Sequence, residues 1–159
     1  ELRFRSSVFL QSTRFDVFLQ DSRQDASVRQ RVDPGDASDL VESNTNVVSL
    51  PVSRALLTNI QFNSHTITPN GDSVNDELRI AIDLVNVLEP RPLRLRLYDL
   101  AGRAVYEHSF NGLAGQQELR WDGTNDTGQR VAPGLYLAEI NVQGDAGDES
   151  VHRIVSVAY

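Results

Sequence analysis

Asn70, Asp72, Asn75 and Asp76 fall within seven residues and bring four oxygen-bearing side chains to one short segment. Ca²⁺ takes about six to eight oxygen ligands, often from a flexible loop, which makes this segment the chain's candidate calcium loop. It is not an EF-hand, because no bidentate Glu closes it at the required distance. Turn chemistry competes: Asn and Asp hydrogen-bond their own backbone, and Gly71 can take a positive φ. The turn reading is favoured, and calcium is the one cofactor left open. A second Asx-rich stretch, Asp122-Gly-Thr-Asn-Asp-Thr-Gly128, reads more firmly as a turn, with Gly123 and Gly128 at positions needing φ > 0. Its Asn125-Asp-Thr127 sequon reads as coincidence. Trp121, the single Trp, could grip a sugar ring, but at a strand end it reads as core.

Catalytic chemistry finds little support. His65, His108 and His152 are scattered, with no ligand spacing between them. There is no Gly-x-Ser-x-Gly elbow and no Gly-rich phosphate loop. The expectation is a non-enzymatic protein without catalytic residues.

Composition narrows the class further. No Cys is present, which removes disulfides, thiolate metal sites and Cys nucleophiles. All 15 basic residues are Arg, read first as coding bias. The absence of Met, with Glu1 at the start, suggests a processed product or a piece of a longer chain. No segment reaches the ~20 apolar residues that span a bilayer, so no transmembrane segment is expected, although association with a membrane complex stays open. Residues 1–57 carry net charge −1 and residues 58–159 net −6. Phosphate contacts need clustered positive charge, so nucleic acid is not an expected partner. Arg3, Arg5, Arg14, Arg23, Arg29 and Arg31 interleave with Phe4, Phe9, Phe15 and Phe18, but nearby acids cancel their charge, and a solvated strand face is favoured.

The elements that must hold these residues are strands. Leu78, Ile80, Ile82 and Leu84 alternate with polar or small residues, as do Leu93, Leu95 and Leu97. Tyr136, Ala138, Ile140 and Val142 make a third face, and Val155, Val157 and Tyr159 a fourth. A period of two puts such residues on one side of a strand. Asn-Gly, Asp-Gly and Pro-Gly pairs recur between them at turn spacing. Six or seven strands fit between Ile60 and Tyr159, the size of an immunoglobulin-like sandwich without its disulfide. The first 57 residues are less regular. Leu2 to Gln11 and Thr13 to Asp21 read as strands, with Phe15, Val17 and Leu19 on one face of the second. A helical turn fits Ser38 to Glu42, and a short strand fits Asn46 to Val52. The expected division is a β-rich segment over 1–57, open to completion by a larger sheet or a partner chain, and a sandwich over 58–159, with the boundary near Ser53 to Thr58. No internal repeat or low-complexity tract is present.

Three motifs in order carry a family resemblance. Thr68-Pro-Asn-Gly-Asp-Ser-Val-Asn-Asp76 is similar to the opening of the C-terminal domains of gliding-motility and type IX-secreted proteins, with Ser73 where those domains have Gly. Leu97-Tyr-Asp-Leu-Ala-Gly-Arg-Ala-Val105, with Tyr98, Asp99, Gly102 and Arg103, resembles a strand and turn that they share with the flagellar hook-cap (FlgD-type) Ig-like domain. Leu119 to Tyr136, with Trp121, Asp122, Gly123, Gly128, Gly134 and Tyr136, is similar to a hairpin of the same group. The resemblance covers about residues 60–159 and implies an all-β Ig-like sandwich on an exported bacterial protein, periplasmic or at the cell surface.

It implies two functions. The first is a structural or assembly module that stabilises a complex with other protein subunits. The alternative is a sorting or anchoring domain of a longer secreted enzyme or adhesin. A carbohydrate-binding accessory module is a lesser alternative, because it needs an exposed aromatic platform.

Overall fold

Alternating apolar and polar residues become strands wherever one face finds a core to cover it. In a computed structural model, which describes residues 5–23, 28–36, 40, 46–50, 53–145 and 147–159, every element among the described residues is a strand. The chain divides into two units, Glu1–Ser53 and Arg54–Tyr159.

The second unit is a β-sandwich. One sheet has the order β10 (Gly115–Trp121), β7 (Leu78–Leu84), β5 (Leu57–Phe62). The other has the order β6 (Thr66–Ile67), β12 (Gly147–Val157), β11 (Gly134–Gly144), β8 (Arg91–Tyr98), β9 (Ala104–Gly112). Pairing is antiparallel except for β6, which runs parallel to β12 through Thr66↔Ser156 and Val157↔Ile67.

The inward residues are the apolar ones of the alternation. β7 contributes Leu78, Ile80, Ile82 and Leu84, and β8 contributes Leu93, Leu95 and Leu97, all 1% exposed or less. β11 adds Tyr136, Ala138, Ile140 and Val142, while β12 adds Val155 and Val157. Each full burial of a Leu or Ile contributes roughly 1.5–3 kcal/mol, so this one cluster holds the two sheets together. Among the described residues no polar or charged side chain is fully buried. Eight strands run from Leu57 to Val157, against the six or seven expected from Ile60 onward. The two-residue β6 accounts for the difference: its sheet partner, β12, lies some ninety residues later in the chain.

The first unit is a ribbon of short ladders. β1 (Ser12–Arg14) pairs β4 (Val47–Ser49), and β2 (Phe18–Gln20) pairs β3 (Arg29–Arg31) inside it. None of its described residues is buried. The expected strand over Leu2 to Gln11 does not form at residues 5–9, which carry no regular structure, and 1–4 lie outside the described residues. The strand expected over Thr13 to Asp21 breaks between β1 and β2: Phe15 N–H still donates to Asn46 O at 2.9 Å, one residue before β4, and regular pairing resumes only at Phe18. Apolar alternation without a second layer to cover it does not sustain a long strand. The helical turn expected at Ser38 to Glu42 lies outside the described residues, apart from Leu40.

Candidate functional site at the loop end of the sandwich

The three motifs of the sequence lie in loops that meet at one end of the second unit. The first loop, Thr68 to Asp76, is wired by its own side chains. Asn70 and Gly71 donate their N–H groups to Asp76 Oδ1 at 2.9 and 2.8 Å, and Ser73 donates to Oδ2 at 2.7 Å. Asp72 N–H donates to Asn70 Oδ1 at 2.9 Å, and Val74 N–H to Asp72 Oδ1 at 2.8 Å. Asn75 also closes the loop, its carbonyl accepting the Thr68 N–H at 2.8 Å. The Gly71 amide, with those of Ser73 and Asn70, holds the Asp76 carboxyl below the usual aspartate range. The backbone takes positive φ at Gly71 (90°), Ser73 (68°) and Asn75 (53°). Ser73 therefore sits in the left-handed region that Gly occupies without strain.

The second loop follows Tyr98. Asp99 Oδ1 accepts from the N–H groups of Ala101 and Arg103 at 2.9 and 3.0 Å, and Oδ2 accepts from Arg103 Nε at 2.8 Å. These bonds to Arg103 are the main reason that Asp99 titrates below its ordinary range. Gly102, at φ 78°, makes the turn tight enough for them. Tyr98 points to the outer face of the five-stranded sheet, where its hydroxyl donates to Glu139 Oε2 at 2.7 Å. That carboxylate holds the phenol above its usual range.

The third loop runs from Trp121 to Val131. Trp121 is 1% exposed, with its ring 5.7 Å from Tyr136 edge-on and 6.3 Å from Tyr106. Its Nε1–H donates to Thr124 O at 2.7 Å, so the indole both fills the core and ties the loop down. Asp122 Oδ1 accepts from Thr124 N–H at 3.0 Å and from its hydroxyl at 2.6 Å. Asn125 Oδ1 accepts from Thr127 N–H, Thr127 Oγ1 and Gln129 N–H. The amide oxygen of the sequon Asn125 is thus engaged in the turn. Gly128, at φ 76°, completes that turn. Tyr136, two residues after Gly134 opens β11, donates its hydroxyl back to Ala132 O at 2.6 Å.

Gly123 joins the first and third loops. It has φ 78°, and a Cβ there would stand 2.9 Å from Pro69 Cγ and 3.4 Å from Ile67 Cδ1. Asp122 shares a polar hollow of about 450 Å³ with Asn75 and Asp76. Asp99 and Arg103 share another, of about 570 Å³, with Asn125, Asp126 and Arg130. The side-chain oxygens of Asn70, Asp72, Asp76, Asp99, Asp122 and Asn125 thus accept hydrogen bonds from their own loops, and Asp126 accepts one from β9. Among the described residues no group of three or more His, Cys, Asp or Glu converges as metal ligands would.

Sequence reasoning missed the part played by four residues. Glu149 on β12 accepts the Leu56 N–H at 2.6 Å, binding the start of β5 across ninety residues. Glu139 and His152, 3.5 Å apart, continue the outer-face polar row from Arg96 and Glu107. Asp126 bonds to β9. The Glu139–His152 pair is a cross-strand contact, legible only once the register is known, and the Glu149 bond ties β12 to the residue before β5, a strand of the other sheet.

Residues 60–155 match the family model described as CHU_C Type IX secretion signal domain. No curated protein sequence matches the chain. Among solved structures it is similar to dimeric latent PorU from Porphyromonas gingivalis, at 18% identity and TM-score 0.52, over 74% of this chain and 11% of that one. FlgD from P. aeruginosa gives 21% identity and TM-score 0.42, over 51% of this chain and 61% of that one. The chain thus spans about a tenth of PorU and less than two thirds of FlgD. At these identities the PorU likeness concerns the fold.

Proposed function

Because this chain belongs to the CHU_C type IX secretion signal domain family, we propose that its sandwich is the sorting signal by which a type IX secretion machine exports a longer polypeptide. The protein is a secreted one, ending at the cell surface or outside the cell. The observation that carries the proposal is the family match over residues 60–155, which spans all three loops of the sandwich's loop end.

The match favours sorting over the assembly role that the sequence put first. A module read by a machine needs a fixed surface more than a reaction centre, and the loop end offers one, tied by Asp76, Asp99, Asp122 and Asn125 to its own backbone. We read the domain as non-catalytic. We read the loop Asn70 to Asp76 as a turn, since its own amides bond side-chain oxygens of Asn70, Asp72 and Asp76. Trp121 lies in the core, out of reach of a sugar ring, which weakens the carbohydrate reading.

The test is to append the whole 159-residue chain to a fluorescent reporter carrying an inner-membrane signal peptide, in a bacterium with a type IX system. Reporter at the surface or in the medium, and in the periplasm when the system is disabled, is the expected result. Retention in the periplasm of both strains overturns the proposal and returns the assembly reading to first place.

A further inference from the structure

β9 is an edge strand. Among the described residues it pairs only with β8, at the margin of the five-stranded sheet. Nine residues of unpaired edge would be a template for strand addition by another molecule, a hazard that natural sheets manage with explicit devices. Along an antiparallel strand, the N–H and C=O of one residue point to the same side, and the side alternates from residue to residue. On β9, Tyr106, His108 and Phe110 lie opposite Leu97, Leu95 and Leu93 and bond toward β8, so Glu107, Ser109 and Asn111 aim their groups outward.

Two outward positions are occupied by the third loop. Asp126 N–H donates to Val105 O at 3.2 Å, and Asp126 Oδ1 accepts the Glu107 N–H at 2.9 Å. A neighbouring strand would offer an N–H and a C=O at this spacing. Asp126 offers an N–H and a carboxylate oxygen instead, and the chain then turns away through Gly128. The side-chain acceptor satisfies the edge without presenting a further carbonyl behind it, so no ladder can grow from this point. Val105 is the extra residue of a bulge, between Leu97↔Tyr106 and Tyr98↔Ala104, and a bulge also twists an edge out of register. Beyond Asp126, Ser109 and Asn111 hold outward groups with no backbone partner among the described residues.

We propose that Asp126 seals β9 against antiparallel pairing with the β9 of a second copy of this chain. A second copy is the occupant that the geometry presents, because an antiparallel edge meets itself across a two-fold axis with the same residues on both sides. With Asp126 in place only Ser109 and Asn111 remain to pair, too short a run for a ladder. Without it the run extends through Glu107 to Val105. The inference rests on hydrogen bonds of the sandwich and does not depend on the export reading.

Hydrogen exchange on the unaltered chain gives the first test. Corrected for intrinsic rates, the Glu107 amide should exchange about tenfold or more slowly than the Ser109 amide, since both face outward and one is bonded. Equal rates overturn the proposal. The second test is association, by light scattering after size exclusion. Asp126→Ala should shift the chain to dimers at concentrations where the parent and Asp126→Asn, which keeps an acceptor oxygen, are monomeric. Adding Ser109→Pro, which removes an outward N–H and breaks no native bond, should restore the monomer. A monomeric, folded Asp126→Ala overturns the proposal. So does association that Ser109→Pro leaves intact, or a parent that already dimerises and is made monomeric by Ser109→Pro. If Asp126→Ala does not fold, the exchange ratio decides.

Discussion

Ser73 holds φ 68° while its N–H bonds Asp76, a conformation that costs a residue with a Cβ about 1 kcal/mol. Ser73→Gly should therefore stabilise the sandwich by about 0.5 kcal/mol, the gain being reduced by glycine's greater freedom in the unfolded chain. Urea denaturation reads this as a higher midpoint with an unchanged slope. Asp76 and Asp99 both titrate below the ordinary aspartate range, held there by amide and Arg103 donors. A depressed folded-state pKa means stability that is present above the unfolded value of about 3.9 and lost as pH falls through the folded one. Acidification from neutral pH to about pH 3 should thus weaken the fold, and Asp99→Asn should shrink that loss, measured as the difference between denaturation midpoints at the two pH values. Calorimetric titration with calcium chloride should give no heat beyond dilution, because the Asp76 oxygens already accept three amide protons.

At the scale of elements, Gly123 is where two loops touch. Gly123→Ala forces a Cβ against Pro69 and puts a side chain at φ 78°, so it should cost about 1–3 kcal/mol by thermal or denaturant unfolding. The strands themselves were largely legible. Leu78 to Leu84 alternates in sequence and in burial, and so do Leu93 to Leu97 and Tyr136 to Val142, because each strand has one face on the core and one in water. Tyr159 was expected beside Val155 and Val157, but it lies past the end of β12 and is half exposed, with its hydroxyl donated to Val131 O at 2.9 Å. β6 escaped notice because two residues carry no periodicity, and what makes them a strand is Ser156 and Val157. The Asx-rich loops could be read as turns from residue type alone, since their bonds are local. Asp126 could not, because its partners Val105 and Glu107 lie some twenty residues away.

Across the molecule, burial is uneven. The buried apolar side chains run from Leu57 to Val157, and the described residues of the first unit hold three-residue ladders with none buried. Brief trypsin treatment should therefore cut first after Arg14, Arg23, Arg29 or Arg31, leaving a resistant fragment that contains the sandwich. Mass spectrometry of the early products checks this, and a first cut within Leu78–Val157 would contradict it. The parallel pairing of β6 with β12 also has a kinetic meaning. Ile67 is fully buried, yet its sheet partner is synthesised about ninety residues later. Contacts of such sequence separation must close a long loop before they return any energy, which slows folding. A nascent chain that stops short of β12 has β11 as a raw edge and β6 with nothing to join. The five-stranded sheet is thus complete only once its last strand is available, and the sandwich closes from the C-terminal side.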